Sequence, residues 1–239
     1  KMASSCKEFA YNEECNAMFR PYMEDTIFTE DNFGGDSTCG LFAVFDGHGG
    51  KTVSEYIWEW VPEELRKTLK MKKPSDLVQV FEDVFVKVDS ELRLMDAENT
   101  GSTGCVGLLR MESGHWVLYI ANVGDTRAVI SWNGVAERMS VDHKCDDPNE
   151  VERIRKAGGI VIEQWVGGSL AVSWAFGDYS LKSEGVIAVP YVRKHFVWPF
   201  DKFLVVATDG VWDVLTDQDA VDYCKEDKTT DEISKTLIK

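Results

Sequence analysis

Residues 41–50, LFAVFDGHGG, run five apolar residues into Asp46, Gly47, His48, Gly49 and Gly50, and residues 203–210, FLVVATDG, end the same way on Asp209 and Gly210. A lone Asp-Gly is a turn signal. Two buried strands that both end in one can bring their carboxylates to one edge of a sheet. Carboxylates gathered there lose hydration and repel each other, so the cluster requires a cation or raised pKa values. Further acids stand in similar settings: Glu24 and Asp25 in RPYMED, Asp125 in ANVGDTRAV, and Asp213 four residues beyond Asp209. Oxygen donors of this kind suit Mg²⁺ or Mn²⁺, which favour octahedral geometry and retain waters, so a few carboxylates suffice. The glycine after each Asp leaves space for carbonyls and water to approach. His48, two residues from Asp46, is placed to handle protons without being a ligand.

The elements that must position these residues follow from pattern. The runs before Asp46 and Asp209 read as buried strands. Val53, Tyr56, Ile57, Trp60 and Leu65 keep helical spacing between Lys51 and Leu69, with Pro62 expected to kink or split the helix. A second helix carries a stripe of Leu77, Phe81, Val84, Phe85, Val88 and Leu92, with Ser75 as its expected cap. Residues 101–140 alternate short apolar runs with Ser113-Gly114, Gly124-Asp125 and Asn133-Gly134, which predicts an antiparallel meander. Asp147 and Pro148 open a short helix that Gly158-Gly159 stop. Residues 160–186 read as a looser excursion and a candidate flap. Thr216 with Asp219 resembles a capping box. No repeat or linker divides the chain, so residues 1–239 are expected to form a single domain.

Composition removes several function classes. Lys plus Arg number 26 against 41 Asp plus Glu, a formal charge of −15, which repels nucleic-acid phosphates and anionic lipid. No apolar run reaches the roughly 18 residues of a membrane span, and the first residues lack a signal-peptide core. The expectation is an intracellular protein, cytoplasmic or nuclear, without nucleic-acid partner or membrane span. Cys6, Cys15, Cys39, Cys105, Cys145 and Cys224 are scattered without a CxxC pair and are expected to be reduced. Four residues separate Cys105 from Arg110, one short of a cysteine-phosphatase loop, and Ser102 and Thr103 lack a nearby base for serine hydrolysis. His115, His143 and His195 are expected at packing or surface positions.

RPYMED, FAVFDGHGG, GSTG, ANVGDTRAV, DHK, RIRKAGGIV, GSLAVSWAFGD and VVATDGVWD, in this order, resemble the successive motifs of metal-dependent serine/threonine phosphatases of the protein phosphatase 2C type. The resemblance spans about residues 9–216. It implies an α+β fold, an antiparallel β-sandwich flanked by helices on both faces in α/β/β/α layers. It also implies two Mg²⁺ or Mn²⁺ ions at one end, with a third weaker ion. On that analogy Asp46 bridges the two metals, the Gly47 carbonyl and Glu24 serve one, Asp209 serves the other, and Asp25 binds through water. Asp125 and Asp213 match the third site, and Arg20 the residue that grips substrate phosphate. A metal-bridging hydroxide would attack phosphorus while His48 protonates the departing serine or threonine oxygen. The implied partner is a phosphoprotein, and a monomer is expected.

The chain departs from the pattern in places. Trp174 stands where the family commonly has Arg, and Val189 and Tyr191 where it tends toward glutamates. A later Asp-Asn motif, which supplies another carboxylate beside Asp209, is absent, so a C-terminal closing segment is expected beyond Lys239. The alternatives are a catalytically weak or silent regulatory module of the same type, binding a kinase or other partner, and a cation-binding structural domain. Retention of Arg20, Glu24, Asp25, Asp46, His48 and Asp209 favours catalysis, because a scaffold has no physical need to crowd those acids.

Overall fold

A computed structural model describes residues 4–15, 18, 22–72, 76–95, 97–224 and 229–238. Its main sheet has five strands in the order β1 (Thr26–Asp31), β2 (Cys39–Phe45), β5 (Gly104–Glu112), β6 (His115–Val123) and β12 (Tyr191–Phe196), each antiparallel to its neighbours. A second sheet joins β13 (Asp201–Ala207), β7 (Arg127–Trp132) and β8 (Val135–Arg138). A third, of two-residue strands, joins β11 (Phe176–Gly177), β4 (Gly101–Ser102) and β3 (Gly47–His48). Strands β9 (Val161–Ile162) and β10 (Trp165–Val166) form a separate pair. The helices are α1 (Thr52–Lys72), α2 (Leu77–Leu92), α3 (Pro148–Lys156), α4 (Tyr179–Lys182), α5 (Asp209–Trp212), α6 (Asp217–Cys224) and α7 (Thr230–Leu237).

The period-two alternation of the strands sorts side chains into layers. One face of the main sheet, with Leu41, Ala43, Phe45, Val106, Leu108 and Tyr119, packs on the buried stripes of α1 and α2. Cys105, Leu118 and Ile120 on the opposite face meet Ala128, Ile130, Leu204 and Val206 of the second sheet. The far side of that sheet, Val129 and Val205, is covered by Val211, Trp212, Ala220 and Val221 of α5 and α6. Helix, sheet, sheet, helix is the layering the resemblance implied.

Local signals mostly act as expected. Asp147 caps α3 through Asn149 N–H, with Pro148 in the first turn. Thr216 and Asp219 bond each other reciprocally at the start of α6. The expected cap Ser75 lies outside the described residues, and Asp76 accepts from Val78 and Gln79 N–H at the start of α2. Pro62 does not split α1: the helix runs continuously because Val53, Ile57, Val61 and Leu65, on both sides of it, are fully buried against the sheet. Cys6, Cys39, Cys105, Cys145 and Cys224 are free thiols.

Two expectations need correction. The segment 101–140 is not one meander. Strands β5 and β6 form a hairpin, as do β7 and β8, but β6 and β7 belong to different sheets, so Gly124-Asp125 is a crossover between layers. Residues 160–186 are not loose either. They carry a small core of Val166, Leu170, Val172, Ala175 and Val186 against Cys145 and Ile154, too irregular in spacing to give a periodic signal.

Candidate active site

Strand β1 pairs with β2 so that Thr26 faces Phe45. One step further out, that register sets Asp25 opposite Asp46, near enough for the Asp25 charge to bear on the Asp46 carboxyl. The Asp46 carbonyl accepts from Thr103 N–H at 2.9 Å and Ser102 hydroxyl at 3.0 Å. The GSTG motif is therefore a backbone clamp rather than a nucleophile. At Gly47 a Cβ would stand 2.5 Å from the Glu24 carbonyl oxygen and 2.7 Å from Ser54 Oγ, so only glycine lets these segments meet. Glu24 Oε1 accepts from Gly50 N–H at 2.6 Å.

The second Asp-Gly segment arrives from the other sheet. Thr208, at the end of β13, donates to Asp25 Oδ2 at 3.3 Å, and Asp209 follows it. The crossover between β6 and β7 delivers Asp125, which is 5% exposed. Burial, then the charges of Asp25, Asp209 and Asp125, push the Asp46 carboxyl up to about 9. Burial and the charges of Asp125 and Asp213 likewise raise Asp209, with Lys144 partly offsetting them. Asp213 itself is exposed. Arg20 lies outside the described residues, so its placement is not part of this geometry.

Lys144, in the DHK motif, had no role assigned from sequence. Its ammonium lies 2.8 Å from Asp125 Oδ2. Burial opposes that charge, but Asp125, with Asp213 and Asp209, outweighs it and raises the lysine pKa. His143 is buried, stacks on Trp174 at 3.8 Å between ring centroids, and hydrogen-bonds the Gly124 carbonyl at 3.1 Å. Trp174 Nε1 donates to Glu150 at 2.8 Å, which also holds Arg153. The aromatic replacement at 174 thus ties the base of segment 160–186 to the Asp125 crossover. His115 is exposed and His195 pairs with Asp201 at 2.8 Å, both away from these acids. Asp178, missed in the sequence, lies 2.7 Å from His48 Nε2.

The donors that converge here are carboxylates and a backbone carbonyl, the hard oxygens that Mg²⁺ and Mn²⁺ accept. A carboxyl group raised to about 9 by burial and by neighbouring acids is what a cation would relieve. The chemistry of the set fits. Among the described residues no three His, Cys, Asp or Glu side chains are gathered closely enough to hold an ion by themselves. Waters would have to complete the coordination.

Known proteins resemble this chain in sequence and fold. Residues 9–239 match the family "Protein phosphatase 2C". Protein phosphatase 2C homolog 1 of Saccharomyces cerevisiae is 34% identical over 95% of this chain and 85% of its own length. Probable protein phosphatase 2C 45 of Oryza sativa is 37% identical over 97% of this chain and 81% of its own. A crystal structure of a serine-threonine phosphatase 2C from Toxoplasma gondii superposes with a TM-score of 0.77 at 24% identity, covering 92% of this chain and 84% of that one, a likeness of fold. Fold and carboxylate edge thus define a metal-dependent protein serine/threonine phosphatase. The chain belongs to the protein phosphatase 2C family.

Proposed function

We propose that this chain hydrolyses phosphoserine and phosphothreonine on proteins with two Mg²⁺ or Mn²⁺ ions, a third binding more weakly. The observation that carries this reading is the convergence of Asp25, Asp46, Asp125 and Asp209, from both main sheets, at one edge. Asp46 would bridge the two ions, Glu24 and the Gly47 carbonyl would hold one, Asp209 the other, and Asp25 would act through water. Asp125 and Asp213 would form the third site. Bound there, the cations would lower the pKa of a water and absorb charge on the phosphoryl group. His48 protonates the departing alkoxide, and Arg20 grips the phosphate through its planar fork.

Residues 1–239 act as one domain in this reading, and segment 160–186 serves as a flap beside the site. The net charge of −15 supports a phosphoprotein rather than a nucleic acid as partner. No helix among the described residues is long and apolar enough to cross a membrane, and the free thiols accord with a reducing cytoplasmic or nuclear compartment. The protein acts as a monomer. The test is Asp46→Ala, checked for folding by circular dichroism. It is expected to lose roughly 10³-fold or more of the Mn²⁺-dependent phosphate release from a phosphothreonine peptide, several kcal/mol of transition-state stabilisation. Unchanged turnover in the folded variant would overturn the reading.

A further inference from the structure

Gly101 lies on the middle strand of the β11–β4–β3 sheet, with His48 in register on one side and Gly177 on the other. A Cβ at Gly101 would stand 2.1 Å from Asp178 Oδ2 and 2.4 Å from His48 Nε2. The missing side chain is the space in which the two groups meet, Oδ2 to Nε2 at 2.7 Å. Asp178 is 4% exposed and adopts a left-handed backbone, φ 49°, which residues other than glycine seldom take. It opens α4, where an Asp side chain usually caps the helix, yet it makes no capping bond. The backbone around it is pinned. Gly177 N–H donates to Asp89 at 2.9 Å, Asp178 N–H to the Thr100 carbonyl at 3.0 Å, and Tyr179 N–H to the Ala97 carbonyl at 3.0 Å. A strained residue is thus held on both sides with its carboxylate delivered to the histidine.

We propose that Asp178 is the positioning residue of His48. A carboxylate oxygen accepts, so Nε2 carries the hydrogen of this bond, and the proton passed to the leaving oxygen comes from Nδ1 of the doubly protonated ring, which is left as the neutral Nε2–H tautomer. The bond fixes both ring orientation and tautomer. The inference rests on the proton-donor role given to His48 above.

The test uses the Mn²⁺-loaded enzyme with two substrates, a phosphothreonine peptide and p-nitrophenyl phosphate, whose phenolate barely needs a proton. Asp178→Asn is expected to lose on the order of 10- to 100-fold in kcat on the peptide, less than removal of His48 itself, and much less on the aryl ester. In a His48→Ala background the same substitution should add less than about 2-fold, because the contact it breaks is already gone. Gly101→Ala keeps both groups and puts a methyl between them, so it reads the same contact should Asp178→Asn not fold. Equal losses on both substrates, or losses that add in the double variant, would overturn the role of Asp178. Selective loss in His48→Ala with none in Asp178→Asn would overturn it too and leave His48 as donor. Equal losses on both substrates in His48→Ala would instead overturn the donor reading itself.

Discussion

Gly47 has no room for a side chain, since the atom nearest to an added Cβ is the backbone carbonyl of Glu24 at 2.5 Å, which cannot swing away. Gly47→Ala is therefore expected to push the Glu24 and Asp46 segments apart, costing roughly 1–3 kcal/mol in urea unfolding and weakening Mn²⁺ binding by titration calorimetry. Wild-type values for both would show that the segments are not in contact. His143 gives a prediction of a different kind. Burial drives its pKa down to about 4, although the Gly124 carbonyl bond opposes this. The unfolded chain, with an ordinary histidine near 6.5, takes up the proton first as pH falls. Stability from this residue is complete above about pH 6.5 and is lost toward pH 4, on the order of 2–3 kcal/mol. Unfolding at a series of pH values should show a shallower slope over that window in His143→Phe, and identical slopes would refute the assignment. Asp46 and Asp209 were legible because each closes an apolar run with Asp-Gly. Asp178 was not, because it lies 130 residues from His48 and meets it only through the register of three two-residue strands.

Among the elements, the long helices and the Asp147 cap of α3 were readable from spacing, whereas the Asp76 cap of α2 and the sheet assignment of β6 and β7 were not. Gly124-Asp125 has the composition of a hairpin turn. Only the burial of Ile120 against Ile130 and Ala128 across two layers shows that the chain changes sheets there. That crossover puts Asp125 at the seam, which a hairpin would not do. The second sheet is held to its covering helix partly by charge. Asp217, at the start of α6, pairs with Arg127 at 2.7 Å and Arg138 at 2.8 Å. Burial works against its ionisation, but the bonds and charges of Arg138 and Arg127 outweigh it and hold the carboxyl below the usual range. Asp217→Asn leaves Arg127 with Asp142 alone and is expected to lower stability by about 1–2 kcal/mol, read as an earlier urea midpoint. Because Asp217 lies on α6 and is not among the proposed ligands, kcat on a phosphopeptide should hold. A fall in kcat with no change in midpoint would contradict this placement.

For the whole molecule, four layers converge several carboxylates on one edge of a chain that already carries −15. Without a cation that edge is a source of strain, and a cation that binds only the folded form adds RT ln(1 + [L]/Kd), about 2.7 kcal/mol at a hundred times Kd. Mn²⁺ should accordingly raise the melting temperature, and Asp46→Asn should abolish most of the rise. The layer order was legible through the succession of motifs. The link from Trp174 through His143 to the Asp125 crossover was not, because it depends on which rings stack after folding. The most direct measurement is phosphate release from a phosphothreonine peptide by the purified protein, first stripped with a chelator and then resupplied with Mn²⁺ or Mg²⁺. The account predicts turnover that vanishes on stripping and returns on resupply. Turnover that persists in the stripped protein, or that never appears with either ion while the protein remains folded, would contradict it.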